Sequence, residues 1–175
     1  MLRVSSTQRH GGSGLEGSGV ICCWAAARSL FVCLLFVMRE YFKITASGAS
    51  QDALNELQQQ LGHELPDNYL ALLLETNGAE WGVHDVGGDC LQLWKAQEVP
   101  EFNAAYEVQR WLPGVVAIAS DGSGRAIILD TTVATEPNGW PVLRVEFGAL
   151  DRDEFTPVAP NFLAWVEREF RLPSS

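Results

Sequence analysis

Cysteine is scarce in this chain and badly placed for disulfides. Of its four cysteines, Cys22, Cys23 and Cys33 fall within the first 37 residues, which leaves Cys90 alone in the rest. No internal disulfide can staple residues 38–175, and a reduced, cytoplasmic setting follows as the expectation. Basic residues are short too, with 12 Lys and Arg against 22 Asp and Glu. The imbalance is concentrated. Residues 1–37 carry three Arg and one Glu, whereas residues 38–175 carry nine basic and 21 acidic residues, a net −12. Between Lys95 and Arg152 the only cations are Lys95, Arg110, Arg125, Arg144 and Arg152, none of them clustered. Phosphate backbones demand clustered Lys and Arg, so a nucleic-acid partner is excluded. Anionic membrane surfaces are poor partners for residues 38–175 on the same ground. What the chain does have is apolar material: 47% hydrophobic residues, with six Trp and eight Phe, is ample for a packed core in one domain.

Residues 1–37 read as an extension of a different kind. Residues 1–19 are rich in Ser and Gly, and residues 20–38, VICCWAAARSLFVCLLFVM, are almost wholly apolar around Arg28. Three readings compete. A secretory signal has its basic region and apolar run here but no clear small-residue cleavage site. A membrane span suffers from Arg28, which costs about 2.5–3.5 kcal/mol near the centre of a span. The third reading is that translation starts at Met38, since everything domain-like follows it. Gly12, Gly14 and Gly17 match the spacing of a dinucleotide-binding loop, but no strand precedes them to form the required turn into a helix.

From residue 50 the pattern becomes regular. Ser50 is a good helix N-cap, Leu54, Leu57 and Leu61 form one stripe, and Gly62 stops the helix. Pro66 suits the first turn of a second helix with Tyr69, Leu70, Leu73 and Leu74 on its apolar face, ended by Asn77-Gly78. The period then changes. Leu91 and Leu93 alternate with Gln92 as in a strand, and EVPEFNAAYEVQRW suits a short helix burying Phe102, Ala105 and Tyr106. VVAIAS and RAIILD flank D-G-S-G as a hairpin, apolar on both faces and therefore central. PVLRVEF adds a strand, and Pro160 opens a final helix with Phe162, Leu163, Val166 and Phe170 as its stripe. The expectation is a single α+β domain over residues 38–175: a mainly antiparallel sheet of about four to six strands, flanked by N-terminal helices and a C-terminal helix.

Reactive constellations are hard to find. His84, Asp85, Asp89 and Cys90 are ligand types, but their spacing matches no zinc pattern, so no metal is expected. Cys90 with His84 or His63 would make a thiolate–imidazole pair, yet a lone Cys beside a strand is more often a small core residue. Ser123 lies between glycines without the strand-to-helix setting of a nucleophile elbow. Asp121 and Asp130 frame the hairpin and could share one end of it, where paired carboxylates perform acid–base work; turn chemistry explains them equally. No catalytic residue and no cofactor are expected.

The ordered set of residues resembles the SUKH superfamily, which includes fungal Smi/Knr-type cell-wall-assembly regulators and bacterial immunity proteins. The resemblance rests on the helix ending at Leu61-Gly62, then Leu65-Pro66, Tyr69, Asn77-Gly78, Glu98 and Pro113-Gly114. It continues through Asp121-Gly122, Gly124, Asp130 and Ala159-Pro160-Asn161-Phe162, covering roughly residues 50–170. Ala79, Ser123 and Arg125 depart from the usual residues at their positions. The resemblance implies a non-enzymatic binding fold whose motif residues Leu65, Pro66, Tyr69, Asn77, Gly78, Asp121, Gly122, Gly124, Asp130 and Pro160 are structural. It further implies either an immunity-type protein that neutralises a toxin domain such as a nuclease, or a regulator of cell-envelope synthesis. An unrecognised hydrolase using Asp121, Asp130 or Cys90 is a third reading. An acidic surface suits a basic protein partner. Glu80, Trp81, Asp85, Asp89 and Glu98 are the candidate contacts, with Trp81 either an exposed anchor or core.

Overall fold

The computed structural model describes residues 42–44, 47–81 and 90–173, the side chains of 42–44 and 81 excepted. The expectations for residues 1–37, and for His84, Asp85 and Asp89, lie outside the described residues. Among the described residues, seven strands form one sheet: β1 (Phe42–Ile44), β2 (Ala79–Trp81), β3 (Leu91–Leu93), β4 (Val115–Ser120), β5 (Arg125–Asp130), β6 (Val142–Glu146) and β7 (Thr156–Ala159). Their order in the sheet is their order in the chain, and every pairing is antiparallel. The fold is α+β as expected. The sheet has seven strands against about four to six expected: β1, β2 and β7, each of three or four residues, lie where the sequence pattern marks no strand.

Helices α1 (Gln51–Leu61) and α2 (Asp67–Glu75) precede the main strands, and α5 (Phe162–Glu167) follows the last. Ser50 caps α1 by accepting a hydrogen bond from the Ala53 N–H at 3.2 Å. Gly62 ends it at φ 70°, a left-handed conformation that an L side chain adopts only with strain. In α2 the buried side chains are Tyr69, Leu72 and Leu73; Leu70 and Leu74, expected on the same face, are half-buried. The stripe is rotated because α2 packs against both α1 and α5. Tyr69 meets Phe162 of α5 edge-on at 5.2 Å, and Phe162, Trp165 and Phe170 pack edge to face with one another.

Two local expectations are corrected. Pro160 does not open α5; the run before it is β7, and Asn161 is the N-cap, accepting from the Ala164 N–H at 2.8 Å. Leu163 is consequently exposed, while Trp165 takes its place in the core. The helix expected between residues 98 and 111 is broken into α3 (Glu98–Ala105) and α4 (Val108–Trp111). It buries Val99, Asn103 and Val108, whereas Ala105 and Tyr106 face outward.

The core is centred on β4 and β5, whose side chains are buried on both faces as their apolar runs predict. The β4–β5 register shifts between Ala117 and Ala119. Asn103 of α3 meets this irregularity. Its amide donates to the Ala117 and Val99 carbonyls, both at 2.7 Å, and its carbonyl accepts from the Ala117 N–H at 3.0 Å. A buried polar side chain thus satisfies the backbone groups that a bulge strips from the ladder.

Candidate partner-binding surface

The residues that first suggested chemistry are placed by the fold into turns. Asp121 follows β4 and organises the D-G-S-G turn. Its Oδ1 accepts from the Ser123 N–H at 2.9 Å, the Ser123 hydroxyl at 2.8 Å and the Arg125 N–H at 3.1 Å. Gly122 and Gly124 supply the positive φ angles of 70° and 99° that this turn requires. Asp130 closes β5 opposite Val115, so the two carboxylates stand at opposite ends of the hairpin. Six residues of strand separate them by about 20 Å, which rules out a shared acid–base pair. Cys90 lies half-buried beneath the turn, close enough that a Cβ on Gly122 would sit 3.1 Å from its own. His63 packs edge-on to Trp140 at 6.2 Å, and no hydrogen bond joins it to Cys90.

Asp130 is the most tightly held carboxylate. It accepts from the Thr132 N–H at 3.0 Å, the Thr132 hydroxyl at 2.6 Å and Arg152 Nη1 at 2.8 Å, and Arg152 also donates to the Pro113 carbonyl at 2.9 Å. Burial by itself pushes the Asp130 carboxyl up. The Thr132 hydrogen bonds and the Arg152 guanidinium outweigh that push and hold its pKa below the ordinary aspartate value.

The other motif residues also have local roles. Asn77 accepts from the Ala96 N–H at 2.8 Å and donates to Gln97 Oε1 at 3.1 Å, tying the end of α2 to the start of α3. Gly78 has φ 87° and comes so close to Lys95 and the Leu93 carbonyl that a Cβ would fall 2.9 Å and 3.2 Å from them. Leu65 and Pro66 are buried at the α1–α2 bend, and Pro160 is exposed before the α5 cap.

Of the candidate contacts, Glu80 lies half-buried on β2 between Lys43 and Gln92 of the flanking strands. Trp81 pairs with Phe42 and Leu91 in the backbone register. Glu98 is engaged locally: it accepts from the Lys95 N–H and the Lys95 ammonium, both at 2.9 Å.

The charge distribution is more telling than any of these positions. Among the described side chains every Lys and Arg except Arg168 forms an ion pair within the chain. Asp52, Glu56, Glu64, Glu75, Glu101, Glu136, Asp153, Glu154 and Glu167 are exposed and have no cation partner among the described residues. The negative excess is therefore presented to solvent.

One surface feature had escaped sequence reasoning. Between α3 and α4, Glu107 adopts φ 52°, ψ 35°, a conformation that costs a non-glycine residue roughly 1–2 kcal/mol. The corner it makes turns Tyr106 and Trp111 outward, 43% and 56% exposed. Tyr106 stacks on Phe147 at 4.0 Å, and Phe147 and Phe102 lead inward to buried Trp94. The Glu107 carboxylate grips Arg110 Nη1 at 2.8 and 3.0 Å, and the Arg110 guanidinium lies 5.0 Å from the Trp111 ring. The signal in the sequence was Glu at a position where helical pattern continues on both sides, which reads as one helix.

A cleft of about 310 Å³ adjoins this corner, lined by Gln60 and Leu61 of α1 and by Pro100, Asn103, Ala104, Glu107, Gln109 and Arg110. It continues along α1 past Ala53 and Glu56. Among the described residues no cluster of His, Cys, Asp or Glu is arranged to hold a metal ion, and no helix is long and apolar enough to cross a membrane.

The sequence profile of the SMI1 / KNR4 family (SUKH-1) matches residues 48–168, more than half of the chain. The chain belongs to this family. No curated protein matches the sequence. The SUKH-1 match runs from the segment before α1 to the end of α5, so it takes in the described helices and six of the seven strands.

Proposed function

We propose that this SUKH-1 chain is an immunity-type protein that binds a basic toxin domain and blocks it stoichiometrically, without chemistry of its own. The observation that carries the reading is the exposed, unpaired negative charge on a rigid α+β scaffold. Clustered carboxylates raise the encounter rate with a cationic cleft and, once docked, cover it. A nuclease is the natural target class, because its own substrate demands a cationic groove. The working unit in this reading is residues 38–175, acting in the cytoplasm.

The test uses the full chain and a purified nuclease toxin domain with a basic cleft. Inhibition should titrate to a fixed stoichiometry, and affinity should fall at least about tenfold between roughly 50 and 500 mM salt as the Debye length shrinks. Salt-independent affinity refutes the electrostatic part. Several endogenous envelope-synthesis partners, in place of one toxin, refute the immunity role.

A further inference from the structure

The left-handed corner between α3 and α4 combines three properties that need not occur together. It exposes two aromatic side chains, it fixes one of them, and it is acidic. Tyr106 is backed by Phe147 and Phe102 and so is held by the core. Trp111 has Arg110 across one side and more than half of its surface open. Arg110 in turn is held in two hydrogen bonds by Glu107. Glycine would adopt the Glu107 backbone without strain. The chain instead keeps a residue whose carboxylate orients the guanidinium beside the indole. Rigid, partly exposed Trp and Tyr are the side chains that most often anchor protein interfaces, because little conformational freedom is lost when a partner covers them.

Charge decides what that partner is. Glu56 and Glu107 line the cleft, Glu101 is exposed on α3 next to the lining residue Pro100, and the single cation among the lining residues is Arg110, which Glu107 already neutralises. Glu56 and Glu101 have no cation partner among the described residues. We infer that this corner is the docking anchor for a protein segment rich in Arg and Lys, which lies along the α1–α3 cleft with a cationic side chain against the open part of Trp111. Such a cation gains both from the indole quadrupole and from the unpaired carboxylates. The inference rests on the proposed recognition of a basic partner and supplies its place on the surface.

The test uses isotopically labelled full chain and nona-arginine as the probe, with nona-glutamate as the control. Nona-arginine should shift the Trp111 indole N–H and the amides of Gln60 and residues 101–111 most, and nona-glutamate should shift none. Trp111→Ala and Glu107→Gly should each weaken nona-arginine binding at least fivefold with the fold retained, the Gly variant melting no lower than wild type because its backbone strain is relieved. The Gly variant keeps the backbone corner and removes the carboxylate together with its grip on Arg110. Asp153→Ala with Glu154→Ala, in the other acidic turn, should leave binding within twofold. Shifts centred on residues 151–154, or full-strength binding by Trp111→Ala, overturn the docking corner while leaving a basic partner in place. Absence of any nona-arginine binding overturns both the corner and the basic-partner reading.

Discussion

Asp130→Asn isolates the most demanding polar contact in the fold. The wild-type carboxylate is almost fully buried and uses one oxygen for two Thr132 donors and the other for Arg152. An Asn side chain of the same shape keeps Oδ1 on Thr132 and turns its amide, a donor, toward the Arg152 guanidinium, also a donor. Hydrogen bonds to a buried charge contribute about 1.5–3 kcal/mol each. Arg152 is 41% exposed and can turn to water, which discounts its share to about 1 kcal/mol. The expected loss is about 2–3 kcal/mol at neutral pH, read by urea denaturation. Because the folded pKa of Asp130 lies below the unfolded value, the carboxylate's contribution is present above the ordinary aspartate pKa of about 3.9 and is lost as pH falls through the folded value. The gap between wild type and Asp130→Asn should therefore narrow below about pH 4. In an Arg152→Ala background the Asn substitution should cost about 1 kcal/mol less, since the opposed donor is gone. A loss under about 0.5 kcal/mol, additivity in the cycle, or a gap that persists unchanged at pH 3 would refute the reasoning.

Asn103→Asp should destabilise the fold by about 3 kcal/mol or more, because a carboxylate oxygen replaces the amide that serves the Val99 and Ala117 carbonyls; denaturation of the two proteins measures it, and near-equal stability sinks the clamp. Tyr69→Phe should be neutral or stabilising by up to about 1 kcal/mol, since the buried Tyr69 hydroxyl has no hydrogen-bond partner among the described residues and burial pushes its pKa up; a loss above about 1 kcal/mol would reveal a partner for that hydroxyl. Gly78→Ala should cost about 1–3 kcal/mol, because the left-handed backbone and the 3.2 Å approach to the Leu93 carbonyl leave no room for a Cβ. A melting temperature unchanged from wild type would show that the turn relaxes.

Local chemistry alone settled a good deal of this protein. Ser50 and Gly62 bound α1, and D-G-S-G made the central hairpin. Unbroken apolar runs marked β4 and β5 as the middle of the sheet, and the acidic excess appeared in composition alone. These follow from signals that act over a few residues: a hydroxyl reaching an N–H three positions on, a glycine accepting positive φ, a period of two. Tertiary structure decided the rest. Leu163 and Trp165 exchanged their expected places because α5 begins at the Asn161 cap and packs on α2, which no periodicity within the segment records. Asp121 and Asp130, nine positions apart in the chain, parted to opposite ends of a hairpin. The α3–α4 corner could not be read, since Glu107 in a left-handed conformation carries no compositional mark. Its strain is tolerated through its grip on Arg110 and the burial of Val99 and Val108 on either side.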